Sequence, residues 1–157
     1  MALLSGAAVV VSRKGTSVHS RLGYLYAAAM SGLIMTAFMI YDLFGAWGAF
    51  HWAAVVALAT LIGGLAEIVG TRRRGWMMRH ATWMSWSYVG LLAAFVAESL
   101  TRWVVPLLVP SLSGSSEERL FWTAVGLGSA VVVAVGAWVI SRRLPGAVSS
   151  AKGAPAR

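Results

Sequence analysis

Three histidines, His19, His51 and His80, carry most of the chemistry this chain could do. Imidazole titrates near neutrality and serves equally as an iron or zinc ligand and as a proton carrier. His19 and His80 each follow a basic stretch containing a glycine, SRKG and TRRRG, and each opens a long apolar run. Two imidazoles at equal depth on facing helices are what a bis-histidine haem b requires, with iron held between them. Tyr26, Met30 and Met84 would then line a dry pocket, and Gly23 would leave room for the macrocycle. Glu67 adds a carboxylate near the same depth, so that His19, His80 and Glu67 together could form a zinc site open to water. Asp42, His51 and Glu98 gather at the opposite end with Arg102, where ionisable groups inside an apolar segment are candidates for a proton or cation pathway.

Each of these readings has a plainer counterpart. Histidine, arginine and aromatic residues collect at membrane interfaces as anchors. Glu67 can pair with Arg72, Arg73 or Arg79, and Asp42, His51 and Glu98 can form an outer ion-pair cluster capped by Arg102. Other chemistry is absent. The chain has no cysteine, which removes disulfides and thiolate sites. It has no HExxH, phosphate loop or Ser-His-Asp arrangement.

The elements that must position these groups are apolar helices. Of 157 residues, 59% are hydrophobic and the mean hydropathy is +0.75, far above that of an ordinary soluble domain. The pattern predicts an all-α polytopic membrane bundle. Met1 to Val11 is a short N-terminal helix, half the length a bilayer needs, or the tail of a fuller helix. Four full spans follow, at about 22–44, 50–69, 76–100 and 120–140. Residues 142–157, rich in Gly, Ala, Ser and Pro, read as a disordered tail. On the third span His80, Met84, Ser87, Leu91 and Glu98 share a face; on the first, His19, Gly23, Tyr26 and Met30 do. Glu67 ends a stripe of Ala49, Ala53, Val56, Thr60, Gly63 and Gly64, and Gly126, Ala130 and Ala134 repeat at four-residue spacing. Both patterns predict close helix packing.

The formal charge of +8 would suggest nucleic acid in a soluble protein. Here the basic residues flank apolar runs, which points to anionic lipid and against nucleic acid. Arg13, Lys14, Arg21, Arg72, Arg73, Arg74, Arg79, Arg142, Arg143, Lys152 and Arg157 fall on one side of the predicted spans, and only Arg102 and Arg119 on the other. That asymmetry predicts a bacterial inner-membrane protein with both termini cytoplasmic. The recurrence of VVVSRKG, IVGTRRRG and VISRRLPG suggests a two-helix unit used twice.

The elements KGTSVHSRLGYLYAAAM (Lys14 to Met30) and RHATWMSWSYVGLLAA (Arg79 to Ala94) resemble those of the bacterial predicted membrane proteins grouped as domain-of-unknown-function family 2306. The first maps to Lys14, Gly15, His19, Arg21, Gly23 and Tyr26, the second to His80, Trp83, Met84, Ser87 and Tyr88. The resemblance runs from Ala8 to Arg102. It implies a helical membrane fold with a full helix before the first element, where this chain is shorter, and it draws attention to the two histidines without implying a reaction. Three classes of function follow from the sequence. The first is a small b-type haem electron-transfer subunit. The second is a proton- or cation-coupled transport or accessory protein. The third is a non-catalytic assembly partner that packs against another membrane protein or a second copy.

Overall fold

The computed structural model describes residues 1–40, 46–70, 72–104, 107 and 115–152, and it is all-helical among them. Five helices follow in order: α1 (Ala2–Val11), α2 (Ser17–Phe38), α3 (Ala49–Val69), α4 (Trp76–Ser99) and α5 (Ser115–Lys152). A π-helical turn, Leu100–Val104, extends α4. Helix α4 is the centre of the bundle, packed most extensively on α5 and α3 and also touching α1. Helix α1 lies on α2, and α2 on α3.

Among the described residues two segments are long and apolar enough to cross a membrane: Phe50–Val69, 20 residues with mean hydropathy 2.0, and Glu118–Ser149, 32 residues with mean hydropathy 2.1. Twenty helical residues cover about 30 Å, the thickness of a hydrocarbon core. The sequence pattern predicted four such segments. Helices α2 and α4 have 22 and 24 residues, so length is not what separates them from α3. Their first two turns carry polar residues, Ser17, His19, Ser20 and Arg21 in α2 and Arg79, His80 and Thr82 in α4. Helix α5 also differs from expectation. It continues through Arg142, Arg143 and Pro145 to Lys152, across residues whose composition predicted an irregular tail. Arg, Leu and Ala are good helix formers, and here they outweigh the single proline.

Glycines set the helix spacing. A Cβ at Gly63 would lie 2.8 Å from the Trp83 ring, and one at Gly64 would collide with the Met84 thioether. On α5, Gly136 lies against Val89 and Gly128 against Leu100, each 2.5 Å from where a Cβ would sit. The packed face of α3 is therefore His51, Ala54, Leu61 and Gly64, while Ala53 and Val56 of the expected stripe are exposed. The expected α5 stripe of Gly126, Ala130 and Ala134 is exposed as well, and Gly128 and Gly136 make the contact. These helices are apolar all round, so hydropathy alone leaves their rotation open.

The stripes on α2 and α4 match the structure more closely. Tyr26, Met30 and Ile34 of α2 are buried, as are Ser87 and Leu91 of α4. Tyr26 donates to or accepts from Ser87 across the two helices at 2.9 Å. The Tyr88 ring stands edge-on to Tyr26, with centroids 6.3 Å apart, and its hydroxyl donates to the Leu3 carbonyl at 3.3 Å. Gly6 admits the Tyr88 ring, which seats the half-length α1 inside the bundle.

Candidate functional site

The lead-in to α2 is a chain of caps. The Lys14 ammonium donates to the Val9 and Val10 carbonyls at 3.1 and 2.8 Å, closing the negative end of α1. Gly15 turns the chain at φ +80°, a left-handed conformation that glycine adopts without steric penalty. The Thr16 hydroxyl oxygen then caps α2 by accepting the His19 backbone N–H at 3.2 Å. The lead-in to α4 repeats one step, a turn at Gly75 with φ +83°. Among the described residues these are the two glycines with positive φ, so SRKG and TRRRG share a local geometry, while the third echoed sequence, VISRRLPG, continues within α5.

Each of the two histidines that follow is oriented through Nδ1. Ser12 Oγ lies 2.9 Å from the Val9 carbonyl and 3.0 Å from His19 Nδ1, and the hydroxyl and the ring share a hydrogen bond whose donor follows the imidazole tautomer. His80 Nδ1 lies 2.7 Å from the Gly64 carbonyl, which can only accept. The Gly64 carbonyl thus requires a proton on His80 Nδ1, and each ring is held through the same nitrogen, a hold of the kind that orients metal-ligating histidines. Burial, helped by the nearby positive Lys14 and by His80, holds the His19 imidazole below the usual histidine range, against an opposing pull from the Val9 carbonyl. A depressed pKa keeps the ring neutral, as a ligand must be.

Glu67 does not join this pair. Its two carboxylate oxygens accept from Arg79 Nε at 2.7 Å and Nη2 at 2.9 Å, the paired geometry that suits arginine and carboxylate. Among the described residues no group of three His, Cys, Asp or Glu side chains is arranged to hold a metal ion. The zinc site expected from His19, His80 and Glu67 is therefore not assembled, and the ion pair expected as its alternative is.

The expected pocket residues take another part. Tyr26 and Met30 are 2% and 1% exposed, the buried Ser87 hydroxyl meets the Tyr26 hydroxyl, and Met84 packs on Gly64. These residues belong to the packed core instead of lining an open pocket. A Cβ at Gly23 would meet nothing within 4 Å, which leaves open space on the same face of α2 as His19.

The opposite end is built differently. His51 is 1% exposed and caps α3. Its backbone N–H donates to the Gly48 carbonyl at 3.1 Å, and its Nδ1 accepts the Gly48 N–H at 3.1 Å. Trp47 stacks on the ring at 4.8 Å. Glu98 pairs with Arg102 one turn on, and both side chains are exposed. Asp42, the third member of the expected ion pathway, lies outside the described residues.

Sequence reasoning overlooked Ser12 and Thr16. A Ser or Thr three residues ahead of a helix-opening residue is an N-cap signature, and Thr16 before His19 carried it. The Gly64 carbonyl left no signal in residue type. Compared with family models, with curated proteins and with solved structures, the chain matches none.

Proposed function

We propose that the chain is a four-span inner-membrane bundle with both termini cytoplasmic, and that it binds haem b through His19 and His80 for one-electron transfer. The observation that carries the haem reading is the hold on each of the two rings at Nδ1, by Ser12 and by the Gly64 carbonyl. Haem would supply the one-electron chemistry. The chain's part is to orient the two imidazoles and keep His19 neutral.

The membrane placement rests on the outward faces. Leu33 and Met35 of α2, Trp52 and Ile62 of α3, and Phe95 of α4 all point away from the bundle, as do Leu127, Val131 and Trp138 of α5. Apolar surface this continuous marks a membrane or partner surface. Helices α2 and α4 match α3 in length and flank it, so a bilayer crossed by α3 accommodates all three. The resemblance to domain-of-unknown-function family 2306 belongs to the same proposal and rests on the two histidine elements. Nothing in the geometry of His51, Glu98 and Arg102 favours ion transport over this reading.

Two experiments test it. Protein purified with haem supplied during expression should show a Soret band, weakened or lost in His19→Ala and in His80→Ala; a colourless wild-type preparation would end the haem reading. The chain has no native cysteine, so single cysteines report topology cleanly. An impermeant maleimide added to intact spheroplasts should label Trp103→Cys and spare Arg74→Cys, and the reverse pattern would invert the orientation.

A further inference from the structure

The connection between α3 and α4 carries positive charge that nothing in the described chain balances. Arg72, Arg73 and Arg74 follow one another, with Arg79 in the second turn of α4. Against these four stands one carboxylate, Glu67, and it is turned to Arg79. Arg79 Nη1 also donates to the Arg74 carbonyl at 3.0 Å, so the ion pair fixes the loop without neutralising it. The Arg72 guanidinium lies over the Trp76 ring, 4.9 Å from its centroid. Arg73 forms no ion pair among the described residues.

Beside Arg73 opens a cavity of about 380 Å³, lined by Ala66, Glu67, Gly70, Arg73 and Arg79. Helix α4 begins next to it at Gly75 without a side-chain cap, so the positive end of its dipole adds to the field of the arginines. A tetrahedral anion with several acceptor oxygens matches the fork of donors that Arg73 offers, while Arg79, whose Nε, Nη1 and Nη2 are each engaged, contributes its position and charge. With the Glu67 charge turned to Arg79, the sign left for a ligand is positive.

We infer that this cleft binds a phosphate group, with Arg73 as the cation that closes on it and Arg79, pinned by Glu67, as the fixed one. The site is separate from the imidazole pair. Its source of phosphate is either a lipid headgroup or a soluble phosphate, and only the lipid source rests on the membrane placement. In that placement the cleft lies at headgroup level, just past the end of α3 at Val69, where arginine and tryptophan gather.

The test is thermal unfolding of the full chain in nanodiscs of phosphatidylcholine, with and without phosphatidylglycerol, and separately with millimolar inorganic phosphate. The wild type should gain melting temperature from phosphatidylglycerol or from phosphate, and the arm that responds identifies the source. Arg73→Gln should lose most of that gain. Arg143→Gln, an exposed arginine assigned to the same membrane side, should keep it. Arg73 contributes its backbone carbonyl, not its side chain, to the α4 start, so the variant folds. Equal losses in the two variants would mean diffuse surface charge and overturn the site, as would no response in either arm. Protein that stays monodisperse without detergent or lipid would end the membrane placement while leaving the phosphate arm intact.

Discussion

His19 and His51 occupy the same position in their helices, the third residue after the N-cap, yet they end in opposite states. The difference lies in the cap. Thr16 has a hydroxyl that accepts the His19 N–H, so the imidazole is not needed for capping and turns to Ser12. Gly48 has no side chain, and the His51 imidazole accepts the Gly48 N–H and is buried against Trp47. One residue three positions upstream thus decides whether a histidine ring turns to a neighbouring side chain or caps its own helix. His80, with Gly75 as its cap, escapes the same fate because it lies two residues deeper in its helix and finds the Gly64 carbonyl across the interface.

The largest expected effect comes from removing that cross-helix partner. Gly64→Val would drive a branched side chain into Met84. The thioether, which the new Cβ would overlap, must swing aside, and the Met84 backbone nitrogen already at contact distance, 3.5 Å, leaves the two γ-methyl groups little room beyond it. Separation of α3 from α4 should cost about 1–3 kcal/mol in denaturant unfolding, and in a haem-loaded preparation it should bleach the Soret band. Wild-type stability would mean that α3 and α4 are not in this contact.

The buried Tyr26–Ser87 pair comes next. Tyr26→Phe leaves the buried Ser87 hydroxyl without its partner and should cost about 1–3 kcal/mol. The double variant with Ser87→Ala should recover part of the loss, giving a coupling of roughly 1 kcal/mol; additive losses would deny the hydrogen bond.

The caps themselves provide the most direct comparison. Thr16→Ala should destabilise by about 1 kcal/mol, and Gly48→Ser should have the opposite sign, a gain of a few tenths of a kcal/mol, as the new hydroxyl takes over from His51. If Thr16→Ala were neutral, the cap would not explain the contrast.

The smallest effect is in pH. The folded-state pKa of His19 is depressed, so the unfolded chain binds its proton first. The stability that the neutral ring confers is full above the ordinary histidine pKa. It is lost as pH falls from that value through the depressed one. Haem-free protein should therefore lose stability on acidification through that window, with a shallower slope in His19→Gln.

What could be read from the sequence followed the polar residues. On α2 and α4, His19, Tyr26 and Ser87 interrupt apolar runs and fix the rotation, and both stripes face the core. On α3 and α5 almost every residue is apolar, so small side chains were the available guide. On α3 they picked out Gly63 and Gly64, which pack, together with the exposed Ala53 and Val56, and on α5 they pointed to an exposed face. Gly64, Gly128 and Gly136 pack because of what stands opposite them, Met84, Leu100 and Val89, and no single helix records that. The fate of Glu67 was legible as one of two alternatives, since both arginine and histidine lay within reach. The capping of α3 by His51 was hidden for a similar reason: it depends on a glycine before it doing nothing.

The links that join α4 to the rest span very different lengths of chain. Glu67 and Arg79 are 12 residues apart, Ser87 and Tyr26 are 61, and Tyr88 and Leu3 are 85. Closing a long loop costs more entropy than closing a short one, and local contacts form sooner. The α3–α4 hairpin is therefore expected to assemble first and the α1 dock last, even though α1 leaves the ribosome before either. Pulsed proteolysis during refolding would read that order as late protection of α1.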